Sequence, residues 1–332
     1  MRRLLLTAVV VLGLGTVTPA VAATHDRADA AAGWLARQLV DGERLEVDFG
    51  GQKFPDQGGT IDAIFAFAAA RVSDGNAEKA VTWLARPEIT AGYLGTGTES
   101  YAGAHAKLLL ATQVRHRSGT SFGGVDVEAG LRALLTPSGR FSDRSEFGDF
   151  SNAFTQSFAV IALDRTPGGA PRSSVSFLAG TQCADGGFPQ DFGLTPCVSD
   201  VDSTAMAVQA LRATGDVINA NEGTTWLAGK QNTDGGFSAG TSASNANSTG
   251  LAAEALAGHR PVAAGKARQF LRSLQVGCSG PIADRGAISY DSTGFDPATA
   301  PRATAQAILG LTGVKLANLS GGGRSQAPAL AC

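Results

Sequence analysis

The segment Asp200-Val201-Asp202-Ser203-Thr204-Ala205 is where this chain is best equipped for proton chemistry. A carboxylic acid held protonated beside a second carboxylate, in a water-poor cavity, can give its proton to a poor base. By position the acid is Asp202, supported by Asp200. The segment also has a plainer reading. Aligned on an internal repeat, Asp200, Asp202, Ser203 and Thr204 match Asn245, Asn247, Ser248 and Thr249. Short polar residues directly before an Ala-rich run have the composition of helix N-caps, and the helix dipole favours a carboxylate there. Asn cannot act as an acid, so capping is the simpler expectation for the pair.

Other side chains could line a central pocket. Asp62, His105 and Gln156 fall inside Ala-rich runs, while Glu99 and Tyr101 open one of them. Asn247 is the counterpart of Asp202, and Tyr290 precedes the last run. His105, on an Ala-rich face, is expected to be a hydrogen-bonded core histidine, and Glu254 needs a partner if buried. The phenylalanines at helical spacing, Phe65, Phe67, Phe154 and Phe158, are expected in the core. Asp62 and Asp202 are the pair to test for glycoside chemistry, which needs two carboxylates about 5–10 Å apart across a cleft.

The elements that must hold these residues come from the repeat. Phe177–Phe188 (FLAGTQCADGGF) and Trp226–Phe237 (WLAGKQNTDGGF) are near copies, 49 residues apart. Anchors at Trp34, Trp83, Leu131, Phe177, Trp226 and Phe270 extend the period along the chain with gaps of 44–49 residues, which marks a repeat architecture. Each anchor lies on an amphipathic helix, and a buried Ala-rich helix follows. The Ala-rich segments are Ile61–Arg71, Tyr101–Val114, Asn152–Leu163, Thr204–Ala213, Thr249–Ala257 and Thr304–Leu311. An all-α fold of six helical hairpins follows, with an Ala-rich inner layer and an amphipathic outer one. The last unit is nearly as apolar as the middle ones, which favours a closed ring over a capped solenoid. Gln182, Gln231 and Gln275 share one offset and are expected to bond groups left free at helix ends. Asp-Gly-Gly supplies a tight reversal after them.

The Gln-x-x-Asp-Gly-Gly-Phe segments resemble the Gln–Trp repeats of squalene–hopene-type terpenoid cyclases, with Phe188 and Phe237 where those place Trp. Asp200–Ala205 resembles the Asp-x-Asp-Asp-Thr-Ala motif of the class II enzymes, with Ser203 in place of the last Asp. The resemblance extends to protein prenyltransferase β subunits. It implies an α6/α6 toroid and, for Asp202, a general-acid role. It is sharp in the fourth and fifth units and specifies fold better than function. The prenyltransferases hold zinc with Asp, Cys and His and need an α subunit. Neither zinc nor that subunit is expected here.

Composition narrows the rest. Residues 1–23 read as a signal peptide: Arg2 and Arg3, the apolar run Leu4–Leu14, and a cleavage site near Ala22–Ala23. Residues 24–319 form one repeat domain and 320–332 a Gly/Ser-rich tail. A net charge of −2, with both signs scattered, suggests no nucleic-acid partner, and no further run is long and apolar enough to span a membrane. In an exported chain the four cysteines are expected to pair as Cys183–Cys197 and Cys278–Cys332, the second tying down the tail. The histidines are isolated, so no metal or other cofactor is expected. The leading expectation is an exported binding or cell-envelope interaction scaffold with a central pocket for an unidentified small molecule or envelope ligand. A terpenoid-cyclase-like enzyme is the alternative, and a carbohydrate-active (α/α)6 enzyme a second.

Overall fold

A computed structural model describes residues 22–240 and 242–332. Its helices in chain order are α1 (Arg27–Gln38), α2 (Gln57–Ala70), α3 (Asp74–Leu84), α4 (Pro87–Leu94), α5 (Ala102–Val114), α6 (Val127–Arg132) and α7 (Ala153–Asp164). They continue with α8 (Arg172–Gly180), α9 (Val201–Ala213), α10 (Val217–Gly229), α11 (Ala246–Leu256), α12 (Pro261–Ser273) and α13 (Ala300–Thr312). Three two-stranded ribbons decorate them. β1 (Ala23–Thr24) runs parallel to β6 (Ala329–Leu330), β2 (Leu45–Phe49) antiparallel to β3 (Gln52–Asp56), and β4 (Phe188–Pro189) antiparallel to β5 (Ser199–Asp200).

The hairpins close into an α/α toroid. The inner helices α2, α5, α7, α9, α11 and α13 each pack on the next, and α13 packs back on α2. Outside them stand α1, α3, α6, α8, α10 and α12. Four inner helices begin earlier than the Ala-rich pattern suggests, because their first turns carry polar residues and glycine. The third outer helix spans six residues, and α4 is an addition that the repeat does not contain.

Small side chains explain how closely the helices approach. A Cβ added at Gly310 on α13 would lie 2.8 Å from the Cα of Gly250 on α11. The repeated motif then fastens neighbouring units. Gln182 Nε2 donates to the carbonyls of Gly186 (2.8 Å) and Asn219 (3.0 Å), so one amide ties its own turn to the first turn of α10. Gln231 does the same with Gly235 (2.9 Å) and Ala263 (2.8 Å). Gln275 donates to Gly286 (3.0 Å) and to Arg27 (2.9 Å), on the first helix of the chain. The ring is therefore closed by the bond that joins its internal units. Phe188 and Phe237, which end the motif, are fully buried. Each such burial contributes on the order of 1.5–3 kcal/mol.

Both disulfides form as expected, Cys183–Cys197 and Cys278–Cys332. The chain after α13 is a strap across the C-terminal ends of the inner helices. Leu316 and Leu319 are buried, and Arg165 donates to their carbonyls at 3.2 and 2.9 Å. Further on, Gly321 N–H bonds Val114, Arg324 N–H bonds Arg71, and Ser73 N–H bonds Gln326. A Cβ at Gly33 would collide with the Pro328 carbonyl, 1.6 Å away, so only glycine lets the strap lie down there. The strap starts directly after α13, several residues before the Gly/Ser-rich stretch.

Candidate functional site: the lumen of the ring

One residue per unit sets the register of the inner helices. Thr60, Thr204, Thr249 and Thr304 accept the backbone N–H of Leu45, Phe188, Phe237 and Ile288 at 2.8–3.0 Å. Thr60 and Thr204 also donate to the carbonyl four residues back, each at 2.6 Å. In α7 the place is taken by Gln156. Its Oε1 accepts from Phe141 N–H at 2.9 Å, and its Nε2 donates to Gly139 and Ser174 at 3.0 Å each. In α5 it is taken by His105, whose Nδ1 bonds the Tyr101 carbonyl at 3.0 Å.

These bonds take Gln156 out of the pocket lining and leave His105 the hydrogen-bonded core histidine that its Ala-rich face suggests. Gln156 is fully buried with both ends of its amide engaged. It does in the third unit what Gln182 and Thr204 divide between them in the fourth. His105 faces the outer layer, since a Cβ added at Gly130 of α6 would lie 2.6 Å from its Nε2. Burial pushes its pKa down, so it is held neutral.

Counting from these positions gives the levels of the lumen. Two residues before them stand Gly58, Gly103, Phe154, Asp202, Asn247 and Arg302. Two residues after come Asp62, Lys107, Phe158, Met206, Leu251 and Gln306. Five after come Phe65, Leu110, Ile161, Gln209, Glu254 and Leu309. Phe65 and Phe158 stack at 6.5 Å with 24° between planes, although α5 separates their helices, so they meet inside the ring. Phe154 and Phe158 are half-buried in the lumen, Phe65 is fully buried at its deeper level, and Phe67 is core. The lower end is shut by the strap, where Leu316 N–H bonds Gln209 Oε1 at 3.2 Å.

At the open end the inner helices are capped. Asp200 Oδ1 accepts from Ser203 N–H at 2.8 Å, and Asn245 from Ser248 N–H at 2.9 Å. Asp56 and Asn152 cap α2 and α7, and Asp143 reaches across to accept from Ala102 N–H on α5 at 2.8 Å. Asp200 is thus a cap. Asp202 is not: it lies in the first turn of α9, and its buried Oδ1 takes no hydrogen bond among the described residues. Burial is the main reason its pKa is pushed up to about 6; Asp200 adds to the rise, while Ser248 and Arg302 oppose it. The oxygens Asn247 Oδ1 and Gln306 Oε1, on the next two inner helices, are also buried without partners. Nothing in the sequence flagged Gln306; its signal is its register with Thr304.

The remaining candidates have structural ties. Asp62 is ion-paired with Lys107 at 2.7 Å. Lys107 also donates to Gly58 O at 3.0 Å and lies 5.9 Å from the Phe158 ring. The Tyr101 hydroxyl donates to Glu99 at 3.1 Å, and Glu99 accepts from Glu146 N–H, which fixes the rim loop before α7. Tyr290 is exposed on the rim, and its carbonyl accepts from Ala246 N–H at 2.7 Å. Glu254 is fully buried at the strap end. Its pKa is pushed up to about 8, chiefly by burial, against nearby Gln209, Leu316 and Lys315. Among the described residues no group of three or more His, Cys, Asp or Glu side chains could hold a metal ion, and no helix is long and apolar enough to cross a membrane.

The architecture is that of the α/α toroids. The type II terpene cyclase MstE from Scytonema superposes with a TM-score of 0.64 at 14% identity, covering 86% of this chain and 96% of that one. A protein from Actinoplanes gives 0.61 at 17%, covering 87% and 99%. Protein geranylgeranyltransferase-I from Candida albicans, complexed with GGPP, gives 0.51 at 12%, covering 77% and 84%. At such identities the likeness is one of fold. No family model matches the sequence, and no curated protein matches it.

Proposed function

We propose that the protein is an extracytoplasmic binding ring, exported by residues 1–23, that holds a small molecule in the open end of its lumen. Those residues lie almost wholly outside the described part of the chain. One observation carries the reading: Asp202, Asn247 and Gln306 present buried, unpartnered oxygens from three consecutive inner helices at an end the strap does not cover. Unpartnered buried oxygens are costly, by about 1–3 kcal/mol each, and a ligand that satisfies them recovers that cost. Half-buried Phe154 and Phe158 offer apolar surface beside them. The test is native mass spectrometry of protein purified from its own host. A retained small molecule is expected in the wild type and its loss in Asp202→Ala; an unliganded ring in repeated preparations would remove the support.

A second reading has its own support. Asp202 does not cap, and a carboxyl near pH 6 suits a general acid. Terpenoid-cyclase-like activity would then depend on Asp202 alone, since Asp200 is committed to Ser203 and position 203 bears no carboxyl. Incubation with a polyprenyl compound, such as the geranylgeranyl dihydroxybenzoate bound by the Scytonema enzyme, should give a cyclised product that Asp202→Asn abolishes. No product from the wild type would rule that compound out as substrate. The glycosidase reading loses ground, because Lys107 neutralises Asp62.

A further inference from the structure

We propose that the open end of the lumen receives the primary ammonium group of a small amine with an apolar chain, bound by Asp202, Asn247 and Gln306. The inference rests on the lumen being a binding pocket and names the chemistry it would take. Three independent features point to it.

The first is hydrogen-bond stoichiometry. Among the buried side-chain atoms without partners in the described residues, the three on these lumen positions are oxygens, one carboxyl and two amide carbonyls. A primary ammonium carries three N–H donors and no acceptor, so it can fill three such oxygens and leave none of its own groups unmet. Asp202 and Asn247 stand at one level of adjacent helices, and Gln306 one turn deeper on the next.

The second is the field at this end of the ring. The loops leading into the inner helices (45–56, 95–101, 141–152, 188–200, 237–245 and 288–299) hold eleven acidic and two basic residues. That is a net −9 on one face of a chain whose total is −2. Six inner-helix N-termini meet the C-termini of the preceding helices there, so the helix dipoles roughly cancel. The face remains strongly negative, which concentrates cations at the opening. Two cations lie within. Lys107 is spent on Asp62, and Arg302 is exposed and makes no ion pair within 4 Å among the described residues.

The third is apolar surface. Phe154 and Phe158 line the lumen, and Phe147 and Phe150, about 70% exposed, stand on the rim loop before α7. Such faces suit the carbon chain of an amine and attract its cationic head. Ammonium binding favours the ionised form of Asp202, so affinity rises as pH passes upward through about 6; the charged groups that face it are Asp200, Arg302 and the Asp62–Lys107 pair.

The probe is n-hexylammonium, titrated calorimetrically into the intact protein at pH 5 and pH 8. Two comparison ligands are 1-hexanol, which lacks charge, and hexyltrimethylammonium, which keeps charge but has no N–H. We expect hexylammonium to bind at least tenfold more tightly than either, with affinity falling about tenfold at pH 5. Asp202→Asn should abolish that preference, and Gln306→Leu should weaken it several-fold, each variant being checked for an unchanged cooperative melt. Equal affinity for the trimethyl compound would overturn the three-oxygen arrangement. Binding of hexanol alone would overturn the charge but leave a binding ring. Failure of all three probes would also overturn the proposal; a ligand retained in native mass spectrometry would then preserve the wider binding reading.

Discussion

Asp200 and Asn245 hold the same position in successive units, each accepting the backbone N–H three residues on, at 2.8 and 2.9 Å. The two residues next to them in register, Asp202 and Asn247, do not cap. Their side chains face the lumen with a buried oxygen unmet. Cap and lumen-facing residue alternate within three positions of one helix start.

Removing a cap should cost helix stability without touching the lumen. Asp200→Ala and Asn245→Ala are each expected to lose about 1 kcal/mol, and Asp200→Asn close to nothing. Urea unfolding of the three variants checks this, and a large loss in Asp200→Asn would give the carboxylate a role beyond capping.

The register threonines should matter more than their size suggests. Thr204→Val leaves the Phe188 N–H buried without its acceptor, a cost of about 1–3 kcal/mol. Thr204→Ser keeps the hydroxyl and should recover most of it. Thermal melts of the pair settle the comparison.

Glu254 makes stability depend on pH. Its pKa is raised on folding from 4.5 to about 8, so the folded state holds a proton that the unfolded chain has released between those values. Stability is therefore greatest below about pH 4.5 in this respect and falls as pH rises to about 8. Glu254→Gln, neutral throughout, should melt close to the wild type near pH 4.5 and increasingly higher toward pH 8. Parallel melting curves across that window would show that the carboxyl titrates normally.

The two disulfides should differ in weight. Cys278–Cys332 spans 54 residues and Cys183–Cys197 spans 14, so loop entropy assigns them up to about 4 and about 3 kcal/mol. Cys278→Ser with Cys332→Ser should also raise hydrogen exchange across the strap, at Gly321 and Arg324 first. Unchanged exchange there would mean that Arg165 and the backbone bonds hold the strap unaided.

The ring was legible in the sequence because its period is written in residues that build it: the aromatic anchors, the Gln of each turn, the Asp-Gly-Gly reversals. Cysteine pairing was legible because one pair closes a single loop and the other ties the tail back to the last unit. Gln156 offered itself as a pocket residue for a definite reason. Like His105, it stands where other units use Thr, and a polar residue in an Ala-rich helix reads alike whether it faces the lumen or the outer layer. Only the bonds to Leu45, Phe188, Phe237 and Ile288 mark that position. The strap was invisible as such, since its contacts are backbone carbonyls and amides, which any sequence supplies.

The bond from Gln275 to Arg27 has a consequence for the order of the chain. A junction made as the internal ones are made does not distinguish a first unit from a last. The parallel pairing of Ala23–Thr24 with Ala329–Leu330 brings the two ends of the described chain side by side. A gene rearranged to join those ends through a short linker, and to begin instead at the exposed turn around Gly215, should encode the same ring. Topologically, the molecule is a circle that the chain happens to cut at one place.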